Sequence, residues 1–438
     1  MKLKLLVLFC ICGILVSCKT DHSYKQKLND AEYLHRSMKK LSDVIVHDIF
    51  SPPVASRLYV YPSIAAYEII QQENSSYKTL TGQLKDMPSI PPADTSTVSL
   101  GLASTKAFLV VSKALIFSEE KIEAFETELF KEIKESGIPK SELNASIQYG
   151  EKIAAIILDW ADKDNYKQTR TFPKYSVSKA METWKPTPPA YMDGIEPHWQ
   201  KIRPLVLTSA DQFTPPPPTT FDLTKGSKFY RELMEVYETV KREDAEEKAI
   251  AAFWDCNPYV AHQQGHVMFA SKKITPGGHW VGITALACQQ VNASLLKSAE
   301  AYALTTISLF DGFISCWDEK YRSNLIRPET IINQHIDPEW KPALQTPPFP
   351  EHTSGHSVIS TAAALTLTKI FGDNFKFKDT VEVEYGLPAR TFNSFLEASA
   401  EAAVSRLYGG IHYMPAIEYG VEQGKEVGNF ITSKISLN

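Results

Sequence analysis

Apolar residues recur along this chain mostly at three- and four-residue spacing, the period of a helix that buries one face. Ile122, Phe125, Leu129 and Ile133 form such a stripe, closed by Gly137 and Pro139, and a second helix is predicted from about Ser141 to Trp160. Leu296, Ala299, Ala303, Ile307, Phe310, Ile314 and Trp317 make one continuous stripe. An alanine-rich run opens at Ser354-Gly355-His356, continues to Ile370 and stops at Gly372. Further helices are predicted at 28–48, 53–72, 98–117, 227–241 and 245–256, and another from about Thr391 to Arg406, broken by Gly409-Gly410. Two-residue alternation is scarce, so the fold class is all-α, a large helical bundle with long proline-rich loops.

Two stretches break the rhythm. Residues 164–226 carry Pro186, Pro188, Pro189 and the run Pro215–Pro218 among aromatics, with few helix formers. A loop of that length is often functional. It reads as a belt between an N-terminal helical region, 18–163, and a catalytic region, 227–438, with the rim of a channel as its secondary role. The proline-bearing linker 74–97 reads as a surface excursion.

Composition alters the picture at the N-terminus. Lys2 and Lys4 precede an apolar run, Leu5 to Leu15, and then Val16-Ser17-Cys18, which resembles a bacterial lipoprotein signal covering residues 1–17. The run is too short to span a membrane as a mature helix. The resemblance implies export, with Cys18 lipidated and the body held at a bacterial membrane, periplasmic or cell-surface. Without the two signal lysines the net charge moves from −5 to −7, which argues against nucleic acid or an anionic membrane face as a partner. Cys256, Cys288 and Cys316 sit in apolar surroundings and read as buried thiols rather than a disulfide framework.

Positive charge is concentrated in three short segments near the C-terminus: K-x6-R-P (Lys320, Arg327, Pro328), T-S-G-H (Ser354, Gly355, His356) and S-R-x5-H (Ser405, Arg406, His412). Together they supply three cations, two histidines and a helix N-terminus, an inventory that suits a tetrahedral oxyanion. Lys320 and Arg327 are two helical turns apart, so one continuing helix would point both to one side, with Pro328 ending it. Guanidinium groups chelate oxyanions, Gly355 admits close backbone approach, and the glycine pair turns His412 back towards Arg406. One imidazole can bond the central atom while the other moves protons, but position alone does not say which.

The ordered triple resembles the signature of the superfamily that joins type 2 phosphatidic acid phosphatases with vanadium-dependent haloperoxidases. The resemblance implies that His412 is the covalent or metal ligand, that His356 is the acid/base, and that Lys320, Arg327, Arg406, Ser354 and the Gly355 N–H hold the oxygens. Trp317 and Phe349 match positions that line the halide site in haloperoxidases, and His352 is a candidate proton group of the same pocket, although loop histidines are more often exposed. The expected cofactor is therefore vanadate, the substrates hydrogen peroxide and a halide. The same cradle would also serve an acid phosphatase that takes a phosphate ester through a phosphohistidine and needs no cofactor. A non-catalytic glycan- or nutrient-binding lipoprotein is the reading from a different class.

Two positions depart from the family pattern. Thr353 stands where proline usually precedes S-G-H. Ala416 stands four residues after His412, where an aspartate commonly orients the ring, leaving Glu418 or a backbone carbonyl as replacements. Asp255 or Asn257 is the expected partner of Arg406. His262 and His266 have a zinc-like spacing, but no glutamate between them and no evident third ligand, so a metal site there is not expected. Gly277-Gly278-His279-Trp280 reads as a turn entering a helix, with His279 near the site without being catalytic.

Overall fold

The computed structural model describes residues 23–264 and 266–437, so Cys18 and the predicted signal lie outside the described residues. Its N-terminal part runs through α1 (Ser23–Leu28), α2 (Glu32–Asp48), α3 (Pro52–Ile70), α4 (Leu100–Leu115), α5 (Glu119–Glu135) and α6 (Lys140–Ala161). A long segment with little regular structure follows, α7 (Tyr166–Thr169) being one short turn of it. Then come α8 (Lys228–Lys241), α9 (Ala245–Phe253), a hairpin of β1 (Val260–Gln264) and β2 (Val267–Ser271), α10 (Pro276–Gln290), α11 (Leu295–Ser323) and α12 (Pro328–His335). The chain closes with α13 (Gly355–Phe371), a short hairpin of β3 (Phe377–Asp379) and β4 (Arg390–Phe392), α14 (Phe395–Tyr408) and α15 (Met414–Lys434). Among the described residues no helix is long and apolar enough to cross a membrane.

Helix starts follow local chemistry. Ser99, Ser227, Ser294, Ser354 and Ser394 each turn a side-chain oxygen onto a free N–H of the helix they open. The centre is α11, which packs on α3 along one side and on α13 along another. Every residue of α3 is buried, Arg57 and Glu68 included, so this helix is enclosed all round rather than along one stripe. Against α13 lies α15, and a stripe of Gly420, Gly424 and Gly428 brings the two backbones close: a Cβ on Gly424 would lie 2.4 Å from the Val358 carbonyl oxygen.

Three expectations need correction. Lys320 and Arg327 do not share a helix, because α11 stops at Ser323 with Asn324 in the left-handed conformation, φ 49°. Pro328 does not end a helix but opens one: it is the first residue of α12, where its missing N–H costs nothing, and Arg327 is the residue before it. The helix expected from Thr391 begins at Phe395, since 390–392 pairs with 377–379 as strand.

Residues 164–226 run from the N-terminal helices across α11. Asp164 accepts from Arg57 Nε at 2.7 Å and Tyr61 Oη at 2.9 Å, and the N–H groups of Leu205, Val206 and Leu207 all donate to buried Asp311 on α11, at 2.7, 2.7 and 2.9 Å. Trp184 and Trp199 anchor the segment in the interior. Cys256, Cys288 and Cys316 are free and buried.

Candidate active site

A cavity of about 140 Å³ opens where α11, α13 and α14 meet the loop before α15, and Lys320 and Arg327 lie against the Phe349 ring that forms part of its wall. Trp317 and Lys320 come from the last turns of α11, Arg327 from the residue before α12, and Gly355 and His356 from the first turn of α13. Arg406 is in the last turn of α14, and His412 follows a turn at Gly410, whose φ is 75°. A Cβ there would meet Val240 Cγ2 at 2.7 Å, so both the backbone conformation and the space call for glycine.

The three cations are buried and differ in what occupies their donors. Lys320 Nζ donates to the carbonyls of Pro350, Glu351 and Thr353, at 3.1, 3.1 and 2.5 Å, which uses all three ammonium protons. Arg327 donates through Nε to the Phe349 carbonyl at 2.9 Å and through Nη1 to the Ile411 carbonyl at 2.8 Å and His412 Nε2 at 3.1 Å. Its Nη2 has no partner among the described residues. Arg406 donates through Nη1 to the Trp254 carbonyl at 2.7 Å, and its Nε has no partner. Neither Asp255 nor Asn257 takes the expected place beside Arg406: Asp255 pairs with Lys273 at 2.8 Å and acts on Arg406 through charge.

His356 Nε2 is likewise buried with no partner among the described residues. Burial first, then the charge of Arg406, holds its pKa well below the usual histidine value. His412 is pushed down in the same way by burial and by Arg327, Lys320 and Arg406, so both rings are neutral at pH 7. Burial also lowers Lys320 to about 8 and Arg327 to about 10, each below its ordinary value.

An orphaned buried donor costs about 1–3 kcal/mol, more when charged. Here Arg327 Nη2 and Arg406 Nε are such donors, and Arg406 lines the cavity together with Gly355 at the start of α13. An oxyanion bound there would satisfy them and offset the burial that lowers the cations, so these residues fit vanadate. The Ser354 hydroxyl caps α13, accepting from the Ser357 N–H at 3.3 Å, a contact that does not use its own proton.

Orientation of His412 comes from a residue the sequence did not single out. Its Nδ1–H donates to Glu351 Oε1 at 2.7 Å, and the Tyr413 N–H donates to the same oxygen at 3.0 Å. Because Arg327 donates to Nε2, the ring proton belongs on Nδ1, and the Nε2 lone pair faces the cations. Glu351 is fully buried, and burial holds its carboxyl up at about 7 against Arg327 and Lys320, which draw it down. Ala416 therefore leaves no gap, and its own carbonyl accepts from the Ser354 N–H at 2.9 Å. Glu418 is exposed on α15.

Trp317 and Phe349 both line the cavity, with ring centroids 4.9 Å apart and the Lys320 ammonium 5.0 Å from the Phe349 ring. Trp317 also donates to the Ile195 carbonyl at 3.2 Å, so it belongs to wall and core together. His352 is a correction: it is neither in this cavity nor exposed. Its ring is turned towards the belt and α15, where it meets the Pro216 carbonyl at 3.1 Å and the edge of Tyr419. Met192, Ile195 and Tyr259 line the cavity without having been foreseen. His262 sits on β1, stacked on Phe269 and bonded to Ser271 Oγ at 2.9 Å.

A family model described as the second helical-bundle domain of VCPO matches residues 300–437. No curated protein matches the chain. Among solved structures, the first bacterial vanadium-dependent iodoperoxidase is 51% identical and superposes with a TM-score of 0.88 over 93% of this chain and 97% of its own. The holo form of a bacterial vanadium-dependent chloroperoxidase has a TM-score of 0.69 at 15% identity, over 88% of this chain and 93% of its own. Its apo form has a TM-score of 0.64 at 14% identity, over 88% and 95%. Half the residues in common with one such enzyme over nearly the whole length make this chain a member of the vanadium-dependent haloperoxidases, with vanadate as its cofactor.

Proposed function

We propose that this haloperoxidase oxidises iodide in preference to bromide or chloride, by the balance H2O2 + I⁻ + H⁺ → HOI + H2O. The observation that carries the site assignment is that Arg327 Nη2, Arg406 Nε and His356 Nε2 are all buried and without a partner among the described residues, on side chains that each act electrostatically on His412. In this reading His412 Nε2 is the ligand atom, held in place by Glu351. Arg327, Arg406 and the Gly355 N–H carry the oxygens, and Lys320 adds charge from behind its three carbonyls. Bound vanadate supplies a Lewis-acidic centre that activates hydrogen peroxide for two-electron oxidation of a halide without changing its own oxidation state. His356 Nε2 has no competing partner among the described residues and takes the peroxide proton; burial, then the Arg406 charge, holds this ring's basicity down, and a bound anion opposes the second of these.

Halide choice rests on the wall and on the relative. Trp317, Phe349, Phe313 and Ile411 present apolar and aromatic surface to the cavity, which favours the large, polarisable, weakly hydrated halide. The 51% identical structure is that of an iodoperoxidase. Purified protein reconstituted with vanadate is assayed with hydrogen peroxide and each of the three halides, and separately with p-nitrophenyl phosphate. Vanadate-dependent turnover of iodide, far above bromide and lost in His412→Ala, is expected. Equal kcat/KM for bromide would overturn the preference, and phosphate ester hydrolysis without halide oxidation would overturn the whole reading.

We also infer that Cys18 carries lipid and holds the enzyme at a bacterial membrane, on the strength of the signal-like residues before it. Labelled palmitate incorporated by the wild type and not by Cys18→Ser is the expected result.

A further inference from the structure

Beside the vanadate cradle lies a second cluster that halide oxidation does not use. Cys256 in the loop after α9, His279 in the first turn of α10 and Glu382 in the 3-10 turn Val381–Tyr385 bring one ligand-type atom each to a single point, with all three atoms within 4.8 Å of one another. Their exposures are 1%, 0% and 1%. We propose that Cys256 Sγ, His279 Nδ1 and Glu382 bind a divalent transition-metal ion, zinc by the chemistry of the set.

Geometry carries the case. Sγ to Nδ1 is 3.5 Å, Nδ1 to the Glu382 Oε1 is 3.0 Å, and Sγ to that oxygen is 3.8 Å. Bond lengths of about 2.3 Å to sulfur and about 2.0 Å to nitrogen and oxygen give tetrahedral edges of roughly 3.5, 3.3 and 3.5 Å. The three atoms already lie near the corners of one zinc tetrahedron. Without an ion the same groups are held by a protonated His279 that donates to both Asp379 and Glu382 and by a thiol that donates to Glu382; one ion bound by all three atoms replaces the thiol proton and the Nδ1 proton.

The far side of the ring is built the way a metal-bound histidine requires. His279 Nε2 meets Asp379 Oδ2 at 2.8 Å, and Asp379, on β3, is wholly buried. A carboxylate on the second nitrogen fixes the tautomer and strengthens the first nitrogen as a ligand. Trp254 stacks on the ring with centroids 4.7 Å apart. Thiolate, imidazole and carboxylate together select zinc over calcium or magnesium, which take oxygen ligands. Cys256 also lines the catalytic cavity, which supplies an entry path and room for a fourth ligand.

Such an ion would pin the loop after α9 to α10 and the 3-10 turn. Two residues before Cys256, the Trp254 carbonyl holds Arg406 Nη1. The ion is thus a clamp behind one wall of the oxyanion site rather than a participant in the reaction.

The test is elemental analysis of the purified full chain, read for zinc and vanadium together, with cobalt substitution as a second readout. One zinc per chain is expected whether or not vanadate is bound, and replacement by Co²⁺ gives a thiolate-to-cobalt charge-transfer band. Cys256→Ser, nearly isosteric, removes the band and the stoichiometric zinc. Asp379→Asn weakens cobalt affinity by about 10- to 100-fold. No metal and no band after equilibration of wild-type protein with Zn²⁺ or Co²⁺ would overturn the proposal, as would stoichiometric zinc retained in Cys256→Ser. Because wild-type protein alone can give the negative answer, a variant that fails to fold leaves the test intact.

Discussion

Glu351 reaches His412 from the other side of the site, sixty-one residues upstream, and gives the ring what an aspartate one turn after the histidine would otherwise give. The bond fixes which nitrogen carries the proton, and hence which one faces the cations. Glu351→Gln keeps an acceptor but removes the charge. Vanadate affinity is expected to fall by about 10- to 100-fold, with turnover of the fully loaded enzyme changed much less. Titration calorimetry separates the two, and Glu418→Gln, altering an exposed residue on α15, serves as the control that leaves affinity unchanged. Unchanged affinity in Glu351→Gln would mean that the Tyr413 backbone and Arg327 alone hold the ring.

At the scale of elements, the site depends on how closely α15 lies on α13. His412 sits just before α15, and the Ser354 N–H to Ala416 carbonyl bond ties the start of one helix to the start of the other. Gly424→Ala places a methyl 2.4 Å from a backbone oxygen that cannot move aside alone. A loss of about 1–3 kcal/mol in denaturant unfolding is expected, with weaker vanadate binding because His412 moves with the helix. The same glycines explain what could be seen in the sequence. Helices with clean apolar stripes, such as 122–133 and 296–317, were legible from period alone, whereas α15 was not foreseen, its Gly420, Gly424 and Gly428 lowering helix propensity where packing restores it. Pro328 misled because proline fits the start of a helix as well as its end. The cationic triple was visible since its order survives in one dimension. Glu351 was hidden because nothing periodic links it to His412; its one signal was Ala416, which asked for a carboxylate from elsewhere.

Over the whole molecule, the belt joins the two helical regions and also forms one wall of the cavity, through Met192 and Ile195. It is fastened at Asp164, at the pairing of the Trp184 N–H with the Asn324 carbonyl, and most heavily at Asp311. Three backbone donors converge on that carboxyl, yet burial pushes it up to about 6 from an ordinary 3.8. Between these values the folded chain holds a proton that the unfolded chain releases. The stability this contributes is complete below about pH 3.8 and is lost as pH rises through about 6. Asp311→Asn cannot titrate, and it turns an amide N–H2 towards donors, so it costs on the order of 1–3 kcal/mol at pH 7. Its deficit against wild type is expected to be largest near pH 4 and to shrink by up to about 3 kcal/mol by pH 7, read by denaturant unfolding at several pH values. Faster proteolysis within 164–226 should accompany it, since residues 205–207 lose their anchor on α11. A deficit that instead grows towards pH 7 would mean that the three N–H donors outweigh burial and hold Asp311 as the carboxylate, which would make the belt a charge-assisted clamp strongest at neutral pH.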